Sequence, residues 1–295
     1  MKFLHNNPQY EYLRKRWVRK HTDATQKFLD THSQTIKNLT LSGLGGLMLL
    51  STPGVAATLS LPENLTQTVP RDDNDPSIAL TKSLEVEVPK DVRKLNSEEE
   101  SQISSLLSQK FGLPVTSEIG GIRLNRSYGL IGGEQHLYRY PGDSVFKHAD
   151  TTDDWAMYGP SGIAPGLGAW GYFATSEVNF TDQDKEREKW YIAVQTFLAP
   201  GFAENTAKYR DFFRYRKMLV VNAKTGQAVV TDIADAGPSE YTGKSLGGSP
   251  EVMHYLGLAT GPRKGPVLYF FIDDPKDEVP LGPISPISGG DLTRT

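Results

Sequence analysis

Two aspartates, Asp232 and Asp235, stand at the end of an apolar run that breaks at Gly237-Pro238. A carboxyl group at such a corner has two ordinary uses. It can cap the N–H groups of the turn through an Asx-type bond, or it can give and take protons as a general acid–base. Three residues of extended chain separate the pair by about 10 Å. The odd spacing puts them on opposite faces of a straight strand, so only a twist at the corner would bring both into one groove. A second polar set comprises His136, His148, Asp150, Asp153 and Asp154. Its spacing fits neither a zinc nor an EF-hand pattern, so no metal is expected. No phosphate-binding or dinucleotide glycine pattern occurs, and no cofactor is expected. The chain has no cysteine, which excludes disulfides, thiolate metal sites and a lipid-modified cysteine.

The elements that must position these residues are mainly β. Trp190–Phe197, Lys217–Asn222, Ala228–Ile233 and Val267–Ile272 are rich in β-branched and aromatic residues and predict strands. Lys224-Thr225-Gly226 predicts a hairpin turn between two of them, with glycine supplying a positive φ. A helix is expected over about 97–111. Ser97 is a good N-cap, Glu98 to Glu100 suit the helix dipole, Ile103, Leu106, Leu107 and Phe111 mark one face, and Gly112 and Pro114 stop it. A second, short helix opens at Ser249-Pro250, with serine as N-cap and proline in the first helical position. Residues 181–189 (TDQDKEREK) read as a solvated face on a helix or loop. Tyr209–Lys217 interleaves aromatic and basic residues and reads as a strand edge.

The stretch Met218 to Gly257, MLVVNAKTGQAVVTDIADAGPSEYTGKSLGGSPEVMHYLG, resembles the second half of the double-psi β-barrel. That fold is shared by rare lipoprotein A, expansins and barwin-like endoglucanases. Ser127-Tyr128-Gly129 and Gly168–Phe173 are similar to the glycine and aromatic start of the first half. The resemblance implies a six-stranded double-psi barrel with short helices and a glycan-holding groove on one side. In the glycan-cleaving members the aspartate of Asp-x-Gly-Pro is the groove acid, here Asp235, and some members carry another acid three residues earlier, here Asp232. Gly247-Gly248-Ser249 stands where the family commonly has Asp-Leu-Ser. Tyr241-Thr242-Gly243 supplies no histidine or second acid, and the lipidated cysteine of rare lipoprotein A is missing.

For such a groove, sugar rings need exposed aromatic faces, and Tyr241, Trp170, Tyr172 and Trp155 are the candidate platforms, with Tyr158 beside them. One good acid favours lytic cleavage, in which a muramyl 6-hydroxyl attacks within the sugar, over hydrolysis by two carboxylates. The expected function is therefore that of an exported protein acting on cell-wall glycan, as a peptidoglycan lytic transglycosylase-like enzyme with Asp235 as acid/base. A non-catalytic, expansin-like polysaccharide binder and a surface protein-interaction domain are the alternatives.

The outer organisation follows from charge and hydropathy. Residues 1–57 carry eight Lys/Arg against three acids, a balance of +5, so the rest of the chain holds −8 of the net −3. That acidic remainder gives no case for nucleic acid as a partner. The apolar window Leu39–Leu61 follows the basic segment, and Val55-Ala56-Ala57 fits a signal-peptidase site. Residues 1–57 thus read as a signal peptide or a membrane anchor, which places the protein outside the cell or in the envelope, with membrane contact through this segment only. Residues 58–96, with four prolines, read as a flexible spacer. Residues 97–274 form the barrel domain with its N-terminal helix, and 275–295 a mobile tail. Nothing in the sequence sets an oligomeric state.

Overall fold

The computed structural model describes residues 76–287. The expected signal or anchor, the first part of the spacer and the last residues of the tail lie outside this range. In chain order the elements are helix α1 (Pro76–Glu87), α2 (Ser97–Phe111), strands β1 (Val115–Thr116), β2 (Glu118–Ile119), β3 (Ile122–Arg123) and β4 (Tyr128–Gly133), then α3 (Thr152–Tyr158) and α4 (Asp182–Lys189). There follow β5 (Tyr191–Val194), α5 (Thr206–Phe213), β6 (Lys217–Val221), β7 (Ala228–Ala236), β8 (Leu246–Gly248), α6 (Pro250–Tyr255), β9 (Lys264–Ile272) and β10 (Gly282–Ile284).

Six strands close a ring in the order β4–β9–β6–β7–β5–β8 and back to β4. The pairs β4–β8 and β5–β7 are parallel and the other four antiparallel. The fold is thus a closed, mixed β-barrel with a few short helices. Closure leaves no free edge within the ring; β1 adds to β9 and β10 adds to β7 at the outside.

Alternation along the strands divides two cores. Met218 and Val220, Val229 and Ile233, and Val267, Tyr269 and Phe271 fill the interior. Leu219 and Val221, Ala228 and Val230, and Leu268, Phe270 and Ile272 point outward, under α1 and α2. Strands buried on both faces read as continuous apolar runs, as VLYFFI does.

Part of the stretch read as spacer is folded. Pro76–Glu87 is helical, and Leu80 and Leu84 are fully buried against the outer core. Their four-residue spacing is one helical turn. Likewise Gly282–Ile284, inside the expected tail, pairs with Ala228–Val230 of β7. Helix α2 has the expected span, but Asn96 rather than Ser97 is the N-cap, in a capping box with Glu99. Tyr209–Phe213, expected on a strand edge, belongs to α5, with Tyr209 and Phe213 buried in the barrel core.

Helix α6 begins as the sequence indicates. Ser249 is fully buried; its Oγ accepts from the Val252 N–H at 3.2 Å and donates to the Lys189 carbonyl at 2.6 Å. It thereby ties α6 to the end of α4. Ser249→Ala is expected to lower the unfolding free energy by about 1–2 kcal/mol, read as a shifted midpoint in urea with an unchanged slope. An unaltered midpoint would remove this cap from the description.

Candidate functional site

Asp235 sits at the end of β7, where the parallel pairing with β5 is irregular. Asp232 opposes Tyr191 and Ile233 opposes Ile192, but Ala193 opposes Asp235, so Ala234 is an extra residue. This bulge counters the odd spacing that would place the two acids on opposite faces of a straight strand, since their partners Tyr191 and Ala193 are two apart.

The Asp235 carboxylate is anchored by one oxygen. Oδ1 accepts the Ala169 N–H at 2.7 Å and the Ala236 N–H at 2.8 Å. Oδ2 makes no hydrogen bond and is not among the enclosed polar atoms, so it meets solvent. Burial pushes this carboxyl above its ordinary value, and the two backbone N–H groups pull the other way. The side chain is therefore both a turn cap and a half-buried acid with one open oxygen.

The backbone that reaches Asp235 is the Gly168–Gly171 turn, closed by a Gly171 N–H bond to the Gly168 carbonyl at 2.9 Å. Gly168 lets this close approach happen without crowding, since a Cβ would stand 3.1 Å from the Ala234 carbonyl oxygen. Arg210 fastens the turn to α5: its Nη2 donates to the Ala169 carbonyl at 2.8 Å, and its own carbonyl accepts from Trp170 Nε1 at 3.2 Å. The turn that carries Trp170 thus meets Asp235 through the Ala169 N–H, while the Trp170 indole turns to α5 and packs on the barrel core. Tyr172 is 37% exposed.

Beyond the cis Gly237–Pro238 bond, Gln195 holds the following loop. Its side-chain amide donates to the Pro238 carbonyl at 3.0 Å and the Lys244 carbonyl at 3.2 Å. Tyr241 rides on that loop and is 92% exposed. Trp155 belongs elsewhere: on α3 it stacks on Phe146 at 4.7 Å and lies against Gly159. No described contact joins it to Asp235.

Asp232 is separate from that corner. It is buried, neither carboxylate oxygen has a hydrogen-bond partner, and the nearest cation is Arg187, with Nε at 3.7 Å. It lines a cavity of about 330 Å³ together with Arg187, Tyr215, Lys217 and Asp277; Asp235 is not on its wall. The two acids do not form a carboxylate pair across one groove.

Burial pushes the Asp232 carboxyl well above its ordinary value, against the attraction of Arg187. The fold therefore favours its protonated form. This contribution to stability is complete below the unfolded pKa and is lost as pH rises through the folded one. Asp232→Asn, a neutral isostere, is expected to stabilise the protein by about 1–2 kcal/mol at pH 8 and to have no effect near pH 3.5. Urea unfolding at both pH values checks this; an equal effect at the two would contradict it.

A third group of polar residues lies among β4, α4 and α6. His136 Nδ1 is 3.2 Å from Glu188 Oε1, His148 Nδ1 is 3.0 Å from Glu188 Oε2, and His148 Nε2 is 2.9 Å from Asp143 Oδ2. Asp143 also takes two hydrogen bonds from the Arg139 guanidinium, and the Leu137 N–H donates to Glu188. Burial pulls His148 down, but the Asp143 and Glu188 carboxylates outweigh it and raise the ring to about 9. Burial, then the nearby Glu188 charge, push Glu251 up to about 8.

Of the polar set singled out in the sequence, His136 and His148 converge. Asp150 instead pairs with Lys185 at 2.6 Å, Asp154 caps α3 through Thr151, and Asp153 is exposed. The residue that joins the histidines, Glu188, comes from the charged run expected to be a solvated face. It is 3% exposed. One signal marks it out: an acid in the last turn of a helix opposes the helix dipole, and this one directly precedes a buried strand.

The fold and site together define a closed six-stranded mixed β-barrel with a half-buried acid at one rim and a buried histidine–carboxylate cluster at another. No protein-family model matches the chain, and no curated protein shows significant similarity to it.

Proposed function

We propose that the chain is a double-psi β-barrel protein of the rare lipoprotein A and expansin type that acts on cell-envelope glycan, with Asp235 as general acid/base. The observation that carries this reading is the Asp235 carboxyl group. It ends β7 at Asp-Ala-Gly-Pro, is half-buried and raised by that burial above its ordinary value, and keeps one oxygen open beside the turn that carries Trp170. The two parallel pairs in the closed ring are compatible with double-psi topology.

A single acid suits lytic cleavage of peptidoglycan. The muramyl C6 hydroxyl attacks the anomeric carbon and the glycosidic C–O bond breaks. The Asp235 proton passes to the leaving oxygen, and the carboxylate then takes the proton released by the attacking hydroxyl. No water is consumed. With Asp232 enclosed in another cavity, inverting hydrolysis, which needs a second carboxylate roughly 6.5–9.5 Å away across the bond, is the poorer fit. In this reading Tyr241, exposed on the loop that follows, offers its ring face to a sugar.

The reading is tested by incubating the full chain with insoluble peptidoglycan. Sedimentation of protein with the polymer and release of soluble fragments are expected. Sedimentation without release would favour the expansin-like reading, in which the same groove binds and loosens polysaccharide. Failure of both would overturn the glycan assignment.

A further inference from the structure

The buried cluster around Glu188 has the composition and spacing of a metal site. His136 follows β4, His148 ends the short turn Val145–His148, and Glu188 lies on α4, so the donors come from three separate segments. One donor atom from each falls within 4.8 Å of the others. His136 Nδ1 is 3.2 Å from Glu188 Oε1 and His148 Nδ1 is 3.0 Å from Glu188 Oε2, so both rings turn a nitrogen toward the two oxygens of one carboxylate. The imidazole rings are 4.6 Å apart and tilted by 49°.

The surroundings resemble the outer support of a metal centre. A histidine that ligates a metal commonly gives its other ring nitrogen to a carboxylate, which fixes the ring. His148 has this arrangement through Asp143, and Asp143 is itself held by Arg139 and by the Arg139 and Ser144 N–H groups. Glu188 Oε1 also accepts the Leu137 N–H at 3.1 Å.

A cluster serving only to fill the interior would close on itself. This one does not. Glu251 Oε2 is enclosed and has no hydrogen-bond partner, in a residue only 4% exposed, and so is His136 Nε2, the ring nitrogen other than the one that meets Glu188. Glu251 lines, with His148 and Glu188, a void of about 10 Å³, room for about one water molecule. The void is also bordered by Asp150 and Asp154 and by Arg139, Lys185 and Lys189, so its approach from the surface carries both signs of charge.

We propose that His136, His148 and Glu188 bind one divalent first-row transition-metal ion, with Glu251 facing its open coordination side across the void. Two imidazoles and one carboxylate suit zinc or iron(II), whereas magnesium and calcium prefer oxygen-only shells. Three protein ligands with an open position are the pattern of reactive rather than purely structural sites. This inference is independent of the glycan reading, since it uses none of the residues of the Asp235 corner.

The test uses the full chain, stripped with a chelator and then dialysed against micromolar Zn²⁺ or Co²⁺. One metal per chain by elemental analysis is expected, with intense visible absorption in the Co²⁺ form from a low-coordinate site. Glu188→Gln and His148→Ala should each weaken binding by at least about 100-fold, and Asp143→Asn by about 10–100-fold. His254→Ala, altering an exposed histidine, should leave binding unchanged. Wild-type protein that takes up no stoichiometric metal would overturn the proposal, whether or not the variants fold. So would binding that survives Glu188→Gln and His148→Ala.

Discussion

Asp235→Asn is expected to lower glycan cleavage by about 10²–10⁴-fold, the usual contribution of a positioned general acid–base, while folding and polymer binding persist. The distinction rests on the geometry of the carboxylate. Both backbone N–H groups that reach the side chain bond to Oδ1. An asparagine carbonyl can accept both, so the turn that joins β7 to Gly168–Gly171 keeps its cap. What disappears is the exchangeable proton. Burial raises this carboxyl above the ordinary value, so the protonated fraction, and with it the cleavage rate of the wild type, should fall as pH rises through that raised value. A rate unchanged in Asp235→Asn would leave the residue a turn cap only. Asp235→Ala should then lose stability without altering any glycan reaction.

Asp143→Ala should destabilise the protein by about 3–5 kcal/mol, the range found when one partner of a buried ion pair is removed. Arg139 and Asp143 are 4% and 0% exposed at their side chains, and two hydrogen bonds of 3.1 and 3.0 Å link them. Without the carboxylate, the Arg139 guanidinium keeps only its stacking on Tyr140 and Phe180. His148 loses the acceptor at its Nε2 as well. Asp143→Asn, which retains an acceptor at the same place, should cost less. Denaturant unfolding of the two variants reads the difference; a cost below about 1 kcal/mol for the alanine variant would show that the pair is solvated.

Most of the ring was legible in the sequence because its central strands follow simple rules. β6, β7 and β9 are runs of β-branched and aromatic residues, and the Asn222–Gln227 turn carries glycine at φ +74°. Ser249-Pro250 announced α6 by cap chemistry. β8 was not legible. It reads Leu-Gly-Gly, a poor strand by propensity, and its glycines are set by neighbours far away in sequence. A Cβ on Gly247 would fall 2.3 Å from the Glu134 side chain, and one on Gly248 would fall 2.9 Å from Ile131. Helix α1 was missed because only Leu80 and Leu84 are fully buried, while the apolar Ala79 and Val86 lie on its exposed side and blur the period.

The site was half legible. The Asp-x-Gly-Pro corner makes Asp235 a candidate, but the bulge at Ala234 that alters its facing depends on the pairing with β5. The odd spacing set Asp232 apart from it, but what isolates Asp232, Arg187 and the 278–281 segment beside it, comes from elsewhere in the chain. Of the histidine cluster, His136 and His148 were singled out together and Glu188 was not. Glu188, its centre, is surrounded in sequence by charged residues that do face solvent, and only the turn of α4 separates it from them.

The most direct measurement of the central claim is the chemistry of the ends produced from purified peptidoglycan. Full-length protein should generate fragments terminating in 1,6-anhydromuramyl residues, identified by a mass 18 Da below that of the hydrolysed sugar, and the Asp235→Asn variant should not. Reducing, water-added ends would contradict intramolecular cleavage by a single acid. Anhydro ends formed equally by the variant would contradict the role given to Asp235.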